Sequence, residues 1–401
     1  MKDILIIAHF TQVPGEAGNG RFHYIAEKLE KHSANVELVT TNFSHRTKKF
    51  RNVTNKQHNN LSYRLTMLRE TGYKKNVSLI RFYSHYRFSI SLKKYLEKRK
   101  IPDVIYCTVP SLDVGYVAAK YSQKNNVRFI IDIQDLWPEA FKMVFNLPFI
   151  SDFIFNPMKQ KANYIYSKAD NIIAVSRTYV DRGLSVNSKL KEGTSVFLGT
   201  DLQYFDILKK RNLVAKPNDE IWVAYIGTLG KSYNLYSVVD ALKTLKDEGY
   251  NNIKFVIMGD GPLKFNFEYY ANKGGINAEF TGRLSYDKMV GILSSCDIAV
   301  NPIKAGSAGS IINKVGDYAA AGLPVINTQE SDEYKDLVEC YGIGFNCINN
   351  SSTDLANKLK ELIEDEKLRG NMGKNNRKLA EDLFNRKKTY KQITKILEES
   401  L

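Results

Sequence analysis

The sequence predicts an α/β protein made of two doubly wound, parallel sheets, and three observations carry that reading. Short apolar runs alternate with stretches of helical periodicity; the alternation breaks off near residue 206 and restarts near residue 220; and the first three runs of the second half each end in glycine. At 401 residues the chain exceeds the roughly 250 to 300 at which a single core stops growing, so two domains are expected.

The first half opens on an apolar strand, Ile4 to Ala8. A loop with Pro14, Gly15, Gly18 and Gly20 follows, and Arg21 to Lys31 has helical periodicity. That order points backbone N–H groups at whatever faces the strand's carboxyl end. Val36 to Thr40, Val104 to Cys107 and Arg128 to Asp132 read as strands, and Asn171 to Val175 with Ser195 to Phe197 close this half. After Asp132 comes Gln134-Asp-Leu-Trp-Pro-Glu139, which puts the Asp135 carboxylate at a strand's carboxyl end. That place suits chemistry, and it suits a turn or helix cap equally well. Residues 206–219 lack periodicity and read as a linker.

In the second half strands are expected at Ile221 to Ile226, Lys254 to Met258, Ala278 to Thr281, Ile298 to Asn301 and Val325 to Asn327. The first three lead into Gly227-Thr-Leu-Gly230-Lys231, Gly259-Asp-Gly261-Pro262 and Gly282-Arg283. Three glycine loops on one edge of one sheet point to a nucleotide far more strongly than any one of them. Residues 353–401 are helical and charged.

The most informative stretch is 301–327, which reads strand, glycine-rich loop, helix, strand. Asn313 to Ala321 is helical until Gly322 and Pro324 stop it. The first N–H groups of a helix have no partner inside it, and the helix dipole favours an anion there. Lys314 in the first turn opposes that dipole, a position that makes sense beside a bound anion, and Asp317 can accept hydrogen bonds from a ribose diol. An ordinary βαβ turn would also use these glycines.

Composition narrows the class. No run approaches the roughly 20 apolar residues that span a bilayer, and Ile4 to Ala8 is too short for a signal-peptide core, so a cytoplasmic location is expected. Cys107, Cys296, Cys340 and Cys347 lack the spacing of a zinc site or disulfide framework and read as buried thiols. The net charge of +15 is concentrated: residues 46–100 hold sixteen Lys or Arg against Glu70 and Glu97, with aromatic residues interleaved. Such a segment suits anionic lipid, a diphosphate-bearing substrate or nucleic acid, or is a solvated basic face. A nucleic-acid-binding protein would leave the glycine loops and the 301–327 stretch unexplained, so nucleic acid is not expected as a partner.

Taken together, the glycine loop to Gly20, Asp135-Leu-Trp-Pro-Glu139, Ala174-Val-Ser176, Gly227-Thr-Leu-Gly-Lys231, Met258-Gly-Asp-Gly-Pro262, Thr281-Gly-Arg283, Asp297-Ile-Ala-Val-Asn-Pro302 and Lys314 through Val325 resemble the family 4 glycosyltransferases. These are retaining, nucleotide-sugar-dependent enzymes of the GT-B fold, with two facing Rossmann-like domains and a cleft between them. Asp-Leu-Trp-Pro-Glu looks like the branch of bacterial O-antigen and capsule enzymes that includes fucosamine transferases. The resemblance implies an acceptor-binding domain over 1–205, a linker over 206–219, a nucleotide-sugar domain over 220–385, and a helix over 386–401 packing back towards the first domain.

The resemblance also implies residue roles. Asp135, Lys231 and Lys314 would be catalytic. Gly20, Gly227, Gly230, Asn234 and Gly259 would approach the donor, Arg283 and Leu284 would lie against its base, and Ser310, Ile311, Ile312 and Asn313 would present N–H groups to its diphosphate. Asp317 would hold the ribose. Gly18, Asn19, Trp137 and Glu139 would meet the acceptor. The sequence departs from the family where a first glutamate is usual, at Gly309, and in its basic pair, where Tyr233 or Asn234 stands near the second lysine position; Gln134-Asp135 replaces the usual His-Asp.

Negative charge grows on the departing nucleoside diphosphate, and Lys231, Lys314 and the loop N–H groups are placed to stabilise it. With no Asp-x-Asp motif, a metal-independent reaction without a cofactor is expected. The substrates implied are a nucleotide-sugar donor, a UDP-sugar favoured, and a lipid-linked saccharide acceptor reached from the inner membrane face, where an amphipathic helix from Tyr83 to Lys100 would touch anionic lipid. A nucleotide-sugar epimerase of the same fold is the alternative, but it needs acid and base groups that this sequence supplies sparsely.

Overall fold

The structure is a computed structural model describing residues 2–16, 18, 20–30, 34–52, 61–76, 78–144, 150–307 and 310–399. It divides into two compact units, Met1–Leu198 with Lys388–Leu401, and Gly199–Lys387.

The first unit runs β1 (Asp3–Ile7), α1 (Arg21–Glu30), β2 (Asn35–Thr41), β3 (Phe43–Ser44), β4 (Lys49–Phe50), β5 (Arg64–Leu68), α2 (Leu79–Lys98), β6 (Val104–Val109), α3 (Leu112–Asn125), β7 (Arg128–Ile133), α4 (Glu139–Val144), α5 (Ile150–Lys168), β8 (Asn171–Ala174), α6 (Arg177–Leu184) and β9 (Thr194–Ser195). Seven strands form a parallel sheet in the order β5-β2-β1-β6-β7-β8-β9, and β3 and β4 form a separate antiparallel pair. Successive side chains of a strand point to opposite faces, so a sheet covered on both sides needs unbroken apolar runs. In β1, Ile4 and Ile6 join one core with Tyr106 and Ile130, while Leu5 and Ile7 join the other with Ile105 and Ile131.

The second unit runs α7 (Leu202–Asn212), β10 (Ile221–Thr228), α8 (Leu235–Asp247), β11 (Ile253–Asp260), α9 (Lys264–Lys273), β12 (Ala278–Phe280), α10 (Tyr286–Leu293), β13 (Ile298–Asn301), α11 (Lys314–Ala321), β14 (Val325–Asn327), α12 (Asp332–Tyr341), β15 (Gly344–Asn346), α13 (Ser352–Glu364) and α14 (Glu366–Leu379), then one π turn. Its six parallel strands lie in the order β12-β11-β10-β13-β14-β15. The last helix, α15 (Arg386–Glu399), belongs to the first unit from Lys388 on, where Tyr390, Ile393 and Leu397 pack beside Ile4 and Val36.

Two expectations need correction, and one strand was not foreseen. The expected linker over 206–219 is helical up to Asn212: Asp201 caps α7 by accepting from Tyr204 N, and Leu202, Phe205 and Leu208 form its buried face. That face starts upstream of the stretch that lacked periodicity. A strand, β5, lies inside the basic segment; it is an edge strand, half-buried, and its Arg64 obscures the pattern. Cys340 is exposed, unlike the buried Cys107, Cys296 and Cys347. No helix among the described residues is long and apolar enough to cross a membrane.

Candidate functional site

In an open parallel sheet the loops diverge where neighbouring strands lead to opposite faces, and a ligand enters there. In the second unit that point lies between β10 and β13. The loops after these strands are joined: Asn234 N donates to Pro302 O at 2.8 Å and Lys304 N to Ser232 O at 3.0 Å. Gly227, near the end of β10, has φ of 134°, a conformation that side chains disfavour. Gly259, on the neighbouring strand, is needed for packing, since a Cβ there would stand 1.8 Å from Gly227 O.

Lys314, the first residue of α11, is buried at this point with its Nζ 4.0 Å from the ring centroid of Tyr225 and 4.1 Å from that of Tyr233. A Cβ on Gly227 would lie 3.7 Å from that nitrogen, so the lysine sits directly beneath the glycine loop. The ammonium has no hydrogen-bond partner among the described residues, and burial pushes its pKa well below the lysine range. Two aromatic faces stabilise a cation by roughly 1 to 2 kcal/mol each at most, whereas desolvating one costs several. The cage therefore suits a cation that meets an anion from outside the protein.

The surrounding groups suit a phosphorylated ligand. Asn313 begins α11 with no side-chain cap, and in the first turn Val315 N donates to Ile312 O and Gly316 N to Asn313 O, each at 3.2 Å. The segment Ser310 to Asn313 leading into it is anchored by Gln329, whose Nε2 donates to Ser310 O at 2.7 Å and which is buried in a network with Asn301 and Asn327. One turn along, Asp317 accepts from the Tyr286 hydroxyl at 3.0 Å, and burial raises its carboxyl pKa to about 6. Lys231 is exposed beside Gly230, Asn234 caps α8 through Ser237 N, and exposed Arg283 and half-buried Leu284 follow β12. Gly309 and Asn19 lie outside the described residues.

In the first unit, Asp135 accepts from Leu136 N at 3.0 Å and from the Trp137 indole at 3.1 Å, and burial raises its pKa. Its carboxylate thus organises its own turn. Trp137 is buried against His85, with Arg81 over its ring at 4.8 Å, and Glu139 accepts from Arg182 at 2.7 Å. A Cβ on Gly18 would meet the Gln12 side chain at 2.6 Å, and Gly20 N donates to Gln12 Oε1 at 3.3 Å. Beneath this loop the buried Arg21 guanidinium bonds Asp132 Oδ2 at 2.9 Å and Val196 O at 3.0 Å, which clamps the start of α1 to β7.

The first unit also holds a constellation that sequence reasoning missed. His9 follows β1, His45 follows β3, Glu70 follows β5 and His85 lies on α2. His9 Nε2 and Glu70 Oε2 stand 2.9 Å apart, although 61 positions separate them in sequence, and His45 Nε2 lies 3.4 Å from the same oxygen. Burial pushes His45 down to about 4 and His85 well below the histidine range. Burial works to raise the Glu70 carboxyl, but His9 and His45 outweigh it and hold it far below the usual range. Spacing scans look for donors a few residues apart, and these three meet only through the sheet. The Tyr225 and Tyr233 cage, Tyr286 and Gln329 were likewise invisible, since nothing local marks them.

Comparison with known proteins finds similarity to glycosyltransferases. Residues 206–379 match the family described as glycosyl transferases group 1. The uncharacterized glycosyltransferase MJ1178 of Methanocaldococcus jannaschii is 24% identical over 237 residues, 59% of this chain and 61% of that protein, so the chain spans about three fifths of that relative. Among solved structures, Anabaena HepE in complex with UDP and glucose superposes with a TM-score of 0.70 at 15% identity over 100% of both chains. WaaG, a glycosyltransferase involved in lipopolysaccharide biosynthesis, superposes at 0.67 with 14% identity over 98% of this chain and 99% of its own. These likenesses establish the fold, with its two Rossmann-like sheets, as GT-B. The segment that matches the glycosyl transferases group 1, residues 206–379, is the one that contains Lys314 and its tyrosine cage.

Proposed function

We propose that this protein is a glycosyltransferase that takes its sugar from a nucleoside diphosphate donor, bound at the β10–β13 switch point. The observation that carries the reading is Lys314, a buried ammonium in an aromatic cage with no hydrogen-bond partner among the described residues. A diphosphate there would receive its charge together with N–H groups of Ser310 to Asn313, the segment that leads into α11. As the bond from the anomeric carbon to the phosphate oxygen breaks, the electron pair stays on the diphosphate, and a cation held in place needs no reorganisation to meet it. Exposed Lys231 supplies a second positive group, Asp317 receives the ribose hydroxyls, and no metal is required of this site. A UDP-sugar is the favoured donor, in keeping with HepE. Retention follows from the resemblance to family 4 alone, as do catalytic Asp135, the acceptor-facing residues of the first unit and the domain roles. A thermal-shift series with UDP, GDP, CDP and dTDP tests the reading, because a ligand held only by the folded state raises its melting temperature. No shift with any of the four would overturn it.

The acceptor in this reading is a lipid-linked saccharide of surface polysaccharide synthesis, reached at an anionic membrane face. Support comes from α2, whose exposed residues include Leu79, Ile80 and Tyr83 at its start and Arg87, Lys93, Lys94 and Lys98 beyond, while Phe88, Leu92 and Leu96 face the core. Apolar residues at one end of a basic face suit shallow insertion with headgroup contact. The charge of the basic segment is not all free: Arg51 pairs with Glu16, and Arg99 with Asp3 and Glu37.

A further inference from the structure

We propose that His9, His45 and Glu70 form a binding site for one divalent transition-metal ion, with zinc the cation that their donors suit. Nothing in the glycosyltransferase reading uses these groups, and the inference stands apart from it.

The geometry is that of a ligand set. One ligand atom from each side chain lies within 4.8 Å of the other two, and the separations from Glu70 Oε2 are 2.9 Å to His9 and 3.4 Å to His45. Ligands at about 2.0 to 2.2 Å around tetrahedral zinc stand about 3.4 Å apart, so the three atoms need only small shifts to close on an ion. Two imidazoles and one carboxylate are borderline donors, which favour zinc over magnesium or calcium.

The groups around the donors are arranged as supporting partners of a metal site are. The Tyr73 hydroxyl lies 2.8 Å from His45 Nδ1, which leaves Nε2 facing Glu70. Ser84 donates to Glu70 Oε1 at 2.7 Å and is itself held by Gly72 N at 2.8 Å, which orients the carboxylate. Such contacts fix ring and carboxylate orientation before a metal arrives. The His9 ring is stacked between Phe10 and Phe88, with centroids at 4.6 and 4.3 Å. Three imidazoles packed in an aromatic interior are expensive unless their nitrogens are used, and the His85 Nε2, on a ring 5.0 Å from that of His9, has no hydrogen-bond partner among the described residues. Its ring also lies 6.0 Å from that of His45, which makes it a candidate for a fourth position that water fills otherwise. The ion would tie together the segments after β1, β3 and β5, three connections with no covalent link.

The competing reading is a plain hydrogen-bonded histidine–glutamate cluster, and zinc itself separates the two. The full chain is stripped with a chelator, given Zn²⁺, and passed over a desalting column before metal analysis and thermal melting. One zinc per chain and a raised melting temperature are expected for the wild type. Both should be lost in His45→Gln and in Glu70→Gln, and kept in His23→Gln, which changes a histidine elsewhere in the same unit. A wild type that retains no zinc overturns the site, and so does zinc retained equally by the two ligand variants. Should those variants fail to fold, Co²⁺ added to the wild type decides between the readings: intense visible absorption of a low-coordinate site is expected, and the weak spectrum of hydrated cobalt alone overturns it.

Discussion

Lys314 lies between Tyr225 and Tyr233, its Nζ about equally far from both ring centroids at 4.0 and 4.1 Å. Both rings are in the second unit, one on β10 and one in the loop that follows it, so the cage is assembled across the point where the sheet's connections diverge. Burying this amine without a counter-ion costs stability in the ligand-free fold, whether it keeps its proton or gives it up, and a bound anion would favour the charged form already held in place.

Replacing Lys314 with methionine should therefore separate stability from function. Methionine keeps most of the shape and removes the buried charge, so the Lys314→Met protein is expected to melt at or above the wild-type temperature at pH 7. Its turnover should fall roughly ten- to a thousandfold, the range for deleting one preorganised charge at a developing anion. Melting points with and without UDP, alongside initial rates, check both halves. Unchanged turnover would remove Lys314 from the site.

Lys231→Ala should lower turnover within the same rough range. Lys231 is exposed, so its removal should leave the melting temperature of the free protein nearly unchanged. A rate within a factor of two of wild type would mean that the lysine only decorates the loop.

Asp317 predicts a pH dependence. Its carboxyl is raised by burial to about 6 from an ordinary value of 3.8. Between those values the folded state holds the proton more tightly than the unfolded state, so stability of the free protein falls as pH rises through this window, and the cost is fully present above about 6. Ribose hydroxyls need the ionised form as acceptor, so nucleotide affinity should weaken as pH falls through about 6. Asp317→Asn, which can still accept from Tyr286, should flatten that profile and weaken binding at pH 7. Calorimetric titration with the best nucleotide across pH 5 to 8 is the measurement, and a wild-type affinity that is level across it would overturn the assignment.

Turnover should persist in EDTA if, as proposed, Lys314 and the N–H groups of Ser310 to Asn313 take the role that a divalent ion plays beside a diphosphate. A rate abolished by EDTA and restored by Mg²⁺ or Mn²⁺, but not by Zn²⁺, would contradict this. The zinc arm keeps the result distinct from loss of the ion proposed at His9, His45 and Glu70.

Vesicle binding should rise with the fraction of anionic lipid and fall with salt, since each basic residue near such a surface contributes about 1 kcal/mol. Leu79→Glu with Ile80→Glu should weaken it, because both side chains are exposed, at 86% and 63%. Protein that stays in the supernatant at low salt with strongly anionic vesicles removes the membrane claim and leaves the donor site standing.

Much of this molecule is determined by its sequence alone. A strand buried on both faces must be apolar throughout, so Ile4 to Ala8 and Ile298 to Asn301 announce themselves locally, and alternation with helices sets the parallel order. Glycines mark the ends of β10 and β11: Gly227 takes a positive φ, a local reason, whereas Gly259 admits the Gly227 carbonyl across the strand pair, a reason that only the tertiary structure supplies. Lys314 and Asp317 stand out in the sequence as candidates because both lie on one short helix behind a glycine-rich loop. What those residues touch was decided only by the tertiary structure. Tyr225 and Tyr233 flank Lys314 because β10 lies next to β13, an adjacency that skips two strands, and His9 and Glu70 converge because β1, β2 and β5 are neighbours in the sheet, with His45 brought to them by the β3–β4 pair that follows β2. Contact between residues far apart in sequence depends on strand order and register, which no local periodicity encodes, and burial then sets their charge states.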